Sequence, residues 1–219
     1  MNILAFDTAT STCSVAGMCG QKVVEEHALL PRQQAQCLLP MIERTLAKQG
    51  IGSAQLDVIA FGRGPGSFTG LRIAASVAQG IAVGLSLPVI PISTLAALAQ
   101  GAHRLYQVKN ILVALDARMQ QVYWGAYQWR EQTMHSVDDE QVVTPAQLHL
   151  PAGEDWAGVG EGWKAYQIEF PAWFTQVDVL PLFYPHAQDI ATLAQHAWRQ
   201  GKAVAADQAL PVYIRDKVT

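Results

Sequence analysis

An apolar run that ends in an aspartate and turns at once into a second strand occurs twice in this chain, and that repetition restricts its fold more than any other feature. The first copy is NILAFD, Asn2–Asp7, followed by TAT and a strand over Cys13–Met18. The second is ILVALD, Ile111–Asp116, followed by ARMQQ and a strand over Val122–Trp129. Short apolar runs bounded by turn residues mark buried strands. FDTAT (Phe6–Thr10) and LDARM (Leu115–Met119) thus read alike, as strand, Asp, turn, strand. Two glycine-rich corners echo each other as well: AFGRGPG, Ala60–Gly66, and AGVGEGW, Ala157–Trp163.

The stretches between these copies fill in a unit. Lys22–Ala28 pairs with Cys13–Met18 as a hairpin across Gly20 and Gln21. Leu38, Leu39, Ile42 and Leu46 recur at helical spacing, which predicts a helix over Gln33–Gln49. Pro40 either kinks that helix or separates its first turns. A strand over Asp57–Gly62, the glycine-rich loop, a helix over Gly70–Leu85, a strand over Pro88–Ile92 and a helix over Thr94–Ala102 follow, with Ser93 as N-cap. The order is β-β-β-α-β-α-β-α, after which the chain begins again. Asp189–Gly201 reads as a helix with a glycine to close it. The expected division is an amino-terminal lobe, 1–104, and a carboxy-terminal lobe, 105–219, that is a degenerate echo of the first. Each half resembles a ribonuclease-H-like unit. Two in tandem give the α/β, two-lobe architecture shared by actin, Hsp70 and sugar kinases.

Composition excludes several function classes. The chain is half hydrophobic and only 15% charged, enough apolar mass for a core. Its formal net charge of −3 lacks the basic surplus of a protein that grips nucleic acid by itself. Cys13, Cys19 and Cys37 are odd in number without C-x-x-C, which suits reduced thiols in the cytosol. MNILAFD has no basic n-region and reaches an acid at once, unlike a signal peptide. The apolar stretch Ile73–Ala99 is broken by Gln79, Pro88 and Pro91, so no membrane span is expected, and the expected location is cytoplasmic. The six histidines form neither H-x-x-x-H nor H-E-x-x-H, and no metal is assigned.

Asp7 and Asp116 stand where kinases and ATPases of this architecture place acids that handle metal and water, before turns that hold phosphate. Asp7, Thr8 and Thr10, Asp116, and Gly64, Gly66, Ser67 and Thr69 of the loop make a degenerate phosphate-turn set. DTAT lacks the glycine that close approach to a phosphate favours, and DARM is bulkier still. The alternative is that each Asp hydrogen-bonds its own turn. The loop GRGPGSFTG matches neither G-x-x-x-x-G-K-[ST] nor G-x-G-x-x-G, and no Lys follows Gly70. It forms either an anion site at a helix start or a tight corner. Ser67 and Thr69 lack a neighbouring base in sequence, so a helix-capping hydroxyl is the simpler reading. A two-metal nuclease would need more carboxylates than Asp7, Glu43 and Asp57 supply at one strand end.

In GLRIAASVAQGIAVGL, Gly70, Ala74, Ala78 and Ala82 form one stripe, and Ile73, Val77, Ile81 and Leu85 a second. Ser76, Gly80 and Gly84 form a third. A helix that is small or apolar all round is buried on more than one side. It is either sandwiched inside its own layers or faces a partner subunit. Leu38, Leu39, Ile42, Gly70, Leu71, Ala74, Ala75, Ala78 and Ala82 are the expected partner-facing set.

NILAFDTAT, FGRGPGSFTGLR, ALDARMQQVYW, VGEGW and the final PVYIRD together resemble the bacterial TsaB (YeaZ) family, over essentially the whole chain. The resemblance implies the tandem fold and a role with TsaD and TsaE in making N6-threonylcarbamoyladenosine in tRNA. There the threonylcarbamoyl group passes from threonylcarbamoyl-adenylate to the adenosine beside the anticodon. It implies that TsaD is catalytic and holds a metal through a His pair, while this chain is a non-catalytic scaffold. No cofactor is then expected in this chain; ATP and metal belong to the partner subunits, and tRNA is met only through the complex. Gln33–Gln49 and Gly70–Leu85 are implied to bundle with TsaD, and to form a homodimer when the chain is alone. Family members run on past the equivalent of Asp216 with a few basic residues, so a short tail is expected to be missing here. The competing reading is a stand-alone small-molecule kinase, ATPase or peptidase of the same fold.

Overall fold

β1 (Asn2–Asp7) is apolar on both faces, and both faces are covered. In the computed structural model, which describes residues 1–215, β1 lies in the middle of a five-stranded sheet. Its partners are β2 (Thr12–Cys19), β3 (Lys22–Leu29), β4 (Val58–Gly64) and β5 (Val89–Ser93), in the order β3-β2-β1-β4-β5. β1, β2 and β3 run antiparallel, while β4 and β5 continue parallel to β1. Leu4 and Phe6 join Ile59 and Phe61 on one face, under α1 (Gln34–Gln49) and α2 (Phe68–Leu85). Ile3 and Ala5 join Ala60 and Ile90 on the other.

The predicted caps form. The Ser93 hydroxyl accepts from the Leu95 and Ala96 amides at 3.1 and 3.2 Å, opening α3 (Thr94–Tyr106). α1 runs unbroken through Pro40, which lies on its exposed side, where water can replace the lost amide bond.

A second sheet repeats the plan. β6 (Asn110–Asp116) pairs antiparallel with β7 (Val122–Arg130), and β7 with β8 (Thr133–Ser136) and the short β9 (Gln141–Val143). β10 (Trp156–Val159) and β11 (Asp178–Val179) extend parallel on the other side, in the order β11-β10-β6-β7-β8. The strand order of the first sheet recurs, so the chain is α/β with two mixed sheets of one topology. What is degenerate is the helical layer. Where α2 has 18 residues, α4 (Gly162–Ala165) has four. Aromatic rings fill part of the space: Trp163 stacks on Phe170 at 4.7 Å and tilts against Trp124 at 5.5 Å.

The division of the chain differs from a cut at 104/105. One unit comprises 1–97 with 185–212, the other 98–184 with the stretch from Tyr213. α5 (Ala187–Arg199), expected in the carboxy-terminal lobe, completes the first unit instead. The physical reason is the second face of the first sheet. Ile3, Ala5, Ala60 and Ile90 need a cover, and Ala187, Ile190, Ala191 and Ala194 of α5 supply it. Gly201, at φ +70°, ends this helix as the sequence suggests. Residues 216–219, and with them the end of PVYIRD and the expectation about a tail, lie outside the described residues.

Candidate functional site

The strand-end aspartate and the glycine-rich loop of the first unit come together, and the glycines are what allow it. A side chain at Gly62 would put its Cβ 1.8 Å from Asp7 Oδ2, at Gly66 2.4 Å from the Ala9 carbonyl oxygen, and at Gly70 1.9 Å from that of Thr8. The loop therefore presses on the turn after β1. The Ser67 amide donates to the Ala9 carbonyl at 2.7 Å, and the Thr8 hydroxyl to the Gly70 carbonyl at 2.7 Å. The Ala9 amide donates to Asp7 Oδ1 at 2.9 Å, and Gln34 Nε2 to the Thr10 carbonyl at 2.8 Å. Two amides that could face a phosphate, those of Ala9 and Ser67, are spent on Asp7 and on the Ala9 carbonyl. Gly64, at φ +109°, turns the chain into this corner. Ser67 caps α2 by accepting from the Gly70 amide at 3.4 Å, while Thr69 is exposed.

Asp7 itself is fully buried, and burial pushes its carboxyl up to about 7. Oδ2 and the Thr94 hydroxyl, which lies close enough to favour the charged carboxylate, are both buried without a well-formed hydrogen bond. Glu43, which a nuclease would turn inward, is exposed.

Asp116 builds a corner of its own in the second unit. Its Oδ1 accepts from the Arg118 amide and the Tyr166 hydroxyl, both at 2.7 Å, and Oδ2 pairs with the Arg118 guanidinium at 2.9 Å. Arg118, Met119 and Gln120 all have positive φ, a left-handed turn without glycine. Gly160 and Gly162 close on β6 itself, with Cβ positions 2.3 and 2.8 Å from the Ala114 carbonyl oxygen, whereas Gly66 and Gly70 close on the turn after β1. Burial and the Asp116 contact push Tyr166 up to about 12, and burial beside Asp116 also raises Glu161. Both aspartates thus hydrogen-bond the amide two residues on, the Asx-turn alternative. Tyr166 and Thr94 carried no motif and were not singled out from sequence.

The helical face requires a correction. Of the expected partner-facing residues, all except Leu39 are buried in the unit's own core: Leu38, Ile42, Gly70, Leu71, Ala74, Ala75, Ala78 and Ala82. The alanine stripe faces the sheet, because small residues let α2 lie close over Ile59 and Phe61. What α2 exposes is Phe68, Thr69, Arg72, Ser76, Gly80, Val83 and Gly84. Phe68 is 50% and Val83 71% exposed, and Leu39 on α1 is 52% exposed. Cys37, Ile73 and Val77 are half-buried against the same core, so apolar side chains remain open among the polar ones. The Arg72 guanidinium lies 3.9 Å above the Phe68 ring. α2 is long and apolar enough to cross a membrane, but it joins two adjacent parallel strands of one sheet and is packed on that sheet.

Comparison with known proteins decides the family. The TsaB tRNA threonylcarbamoyladenosine biosynthesis protein of Escherichia coli is 40% identical over 225 residues, covering 100% of this chain and 96% of that protein. The chain belongs to the TsaB family. The Haemophilus influenzae TsaB is likewise 40% identical, over 100% of this chain and 95% of its own. The solved structure of YeaZ from Pseudomonas aeruginosa superposes with a TM-score of 0.93 at 43% identity, over 97% of this chain and 99% of that one. The wider family model described as TsaD, tRNA N6-adenosine threonylcarbamoyltransferase, matches residues 27–218.

Proposed function

We propose that the protein is the non-catalytic scaffold subunit of a tRNA threonylcarbamoyladenosine-forming complex. It pairs with TsaD, and through that pair with TsaE. TsaD carries out the transfer of the threonylcarbamoyl group from threonylcarbamoyl-adenylate to N6 of the adenosine beside the anticodon. The observation that carries this reading is that α1 and α2 leave large apolar side chains open, Leu39 on α1 and Phe68 and Val83 near the two ends of α2, with Cys37, Ile73 and Val77 only half-buried against the core. Large apolar side chains left open on a helical face suit a surface that binds a partner. The closed corner at Asp7 supports the absence of a reaction in this chain, with ATP and metal held by the partners. The negative net charge supports tRNA contact only through the complex. The same layer pairs two copies when TsaD is absent, and the location is the cytoplasm, with tRNA.

The test uses Val83→Arg and Leu39→Arg in the full chain, mixed with TsaD, TsaE and substrate tRNA. Loss of the heterodimer and of tRNA modification, with the fold intact, is the expected result. Unchanged assembly and modification would overturn the surface. Calorimetry with ATP and magnesium checks the rival enzyme reading: micromolar binding by the isolated chain, abolished in Asp7→Ala, would restore a kinase or ATPase.

A further inference from the structure

The amino end of α5 is held to the β2–β3 hairpin by one carboxylate. Glu25 Oε1 accepts from the Ser14 hydroxyl at 3.0 Å and the Gln188 amide at 3.1 Å. Glu25 Oε2 accepts from Gln188 Nε2 at 2.7 Å and faces His186 Nδ1 at 2.9 Å. The Ser14 oxygen in turn accepts from the Ala187 amide at 2.9 Å. His27, two residues from Glu25 on β3 and so on the same face, lies flat on His186. Their ring centroids are 4.1 Å apart and their planes 11° from parallel. His27 Nε2 is buried without a hydrogen bond.

We propose that the stacked His27–His186 pair on Glu25 is an acid-operated latch that keeps the first turn of α5 seated on the β2–β3 hairpin. One carboxylate can balance one imidazolium. A proton on His27 Nε2 would bury an N–H that has no acceptor and set it against the face of the ring that already uses the Glu25 carboxylate. The latch is closed while His27 is neutral and opens when acid drives a proton onto it. Burial and the neighbouring His186 outweigh the Glu25 charge and a hydrogen bond to the Pro185 backbone, and hold His27 below the usual imidazole range. Burial raises Glu25, but the His186 contact and the Gln188 and Ser14 donors outweigh it and hold the carboxyl below its usual range. The charge is therefore in place throughout the range in which His27 responds.

The other titratable groups on this face are few. Asp7 on β1 stands opposite Ser14 in register, and Asp189 lies in the first turn of α5. By strand alternation, Lys22 and Glu26 of β3 and Arg63 of β4 point to the opposite face, and β5 (VIPIS) carries no charged residue.

Hydrogen exchange on the full chain tests the latch through the Ala187 and Gln188 amides, with β1 amides as internal reference. An open state that takes a proton at the ordinary imidazole pKa predicts a loss of protection of about tenfold between pH 7.5 and 5.5, after correction for intrinsic exchange. His27→Phe keeps a stacked ring without a proton site, and the acid loss should vanish; in Asp7→Asn it should persist. A pH-independent protection in the parent, or the same acid loss in His27→Phe, would overturn the proposal. Should His27→Phe not fold, an NMR titration of the His27 ring in the parent decides: a midpoint at the free-imidazole value sinks the latch.

Discussion

Single atoms decide what the first corner can do. At Gly70 a methyl group would sit 1.9 Å from a backbone oxygen, and no side-chain rotation relieves that contact. Gly70→Ala should cost about 3 kcal/mol or more in urea unfolding. Gly80 lies on the same helix with nothing within 4 Å of its Cβ position. Gly80→Ala should stabilise the isolated chain by about 0.5–1 kcal/mol. Equal effects at the two positions would show that the corner is not closed. Asp7 makes a prediction with a sign. Its folded value of about 7 lies above the ordinary carboxyl value of 3.8. The folded form therefore holds a proton that the unfolded form releases, and stability declines as pH rises from about 4 to about 7. Asp7→Asn keeps the acceptor for the Ala9 amide and removes the ionisation. Its melting-temperature advantage over the parent should grow from pH 5 to pH 7.5 and then level off. The identity of Asp7 and the glycines was readable in the sequence. Their closure was not, because it depends on which backbone oxygens lie opposite each glycine.

At the scale of elements, periodicity placed the helices well and assigned their faces poorly. Helical spacing located α1 to within one residue and α2 to within two. Yet a stripe of Gly70, Ala74, Ala78 and Ala82 suits a sheet below as well as a helix above, since small residues serve either close approach. Only the packing shows that it faces inward. The practical consequence concerns mutagenesis. Ala78→Arg would bury a cation in the core and should unfold the chain, so it cannot report on a partner. Val83→Arg is expected to leave the thermal midpoint of the isolated chain unchanged while weakening pairing with TsaD. Circular dichroism beside a pull-down separates the two. The short strands β8, β9 and β11 escaped the sequence reading because two to four residues are too few for alternation to register.

Over the whole molecule, the duplication was legible from the paired strand-Asp-turn motifs, and the common strand order bears it out. The assignment of α5 was not legible, because an amphipathic helix names its apolar face but not the sheet it will cover. A fragment ending at residue 104 lacks α5 and leaves Ile3, Ala5, Ala60 and Ile90 exposed. It should be insoluble or lack cooperative unfolding. Joining 1–97 to 185–212 by a flexible linker should restore a cooperative transition, measured by scanning calorimetry. A cooperative 1–104 fragment would contradict this division.

The return of 185–212 to the first unit also sets an order for biosynthesis. A chain leaving the ribosome at about 5–20 residues per second exposes the face carrying Ile3 and Ala5 long before α5 emerges to cover it. Nearly all of the second unit is translated during that wait. The part made first is thus finished last, and its uncovered strands need shelter for the duration. Nascent chains arrested before Pro185 should engage a ribosome-bound chaperone through the first sheet and let go once Gly201 has cleared the exit tunnel.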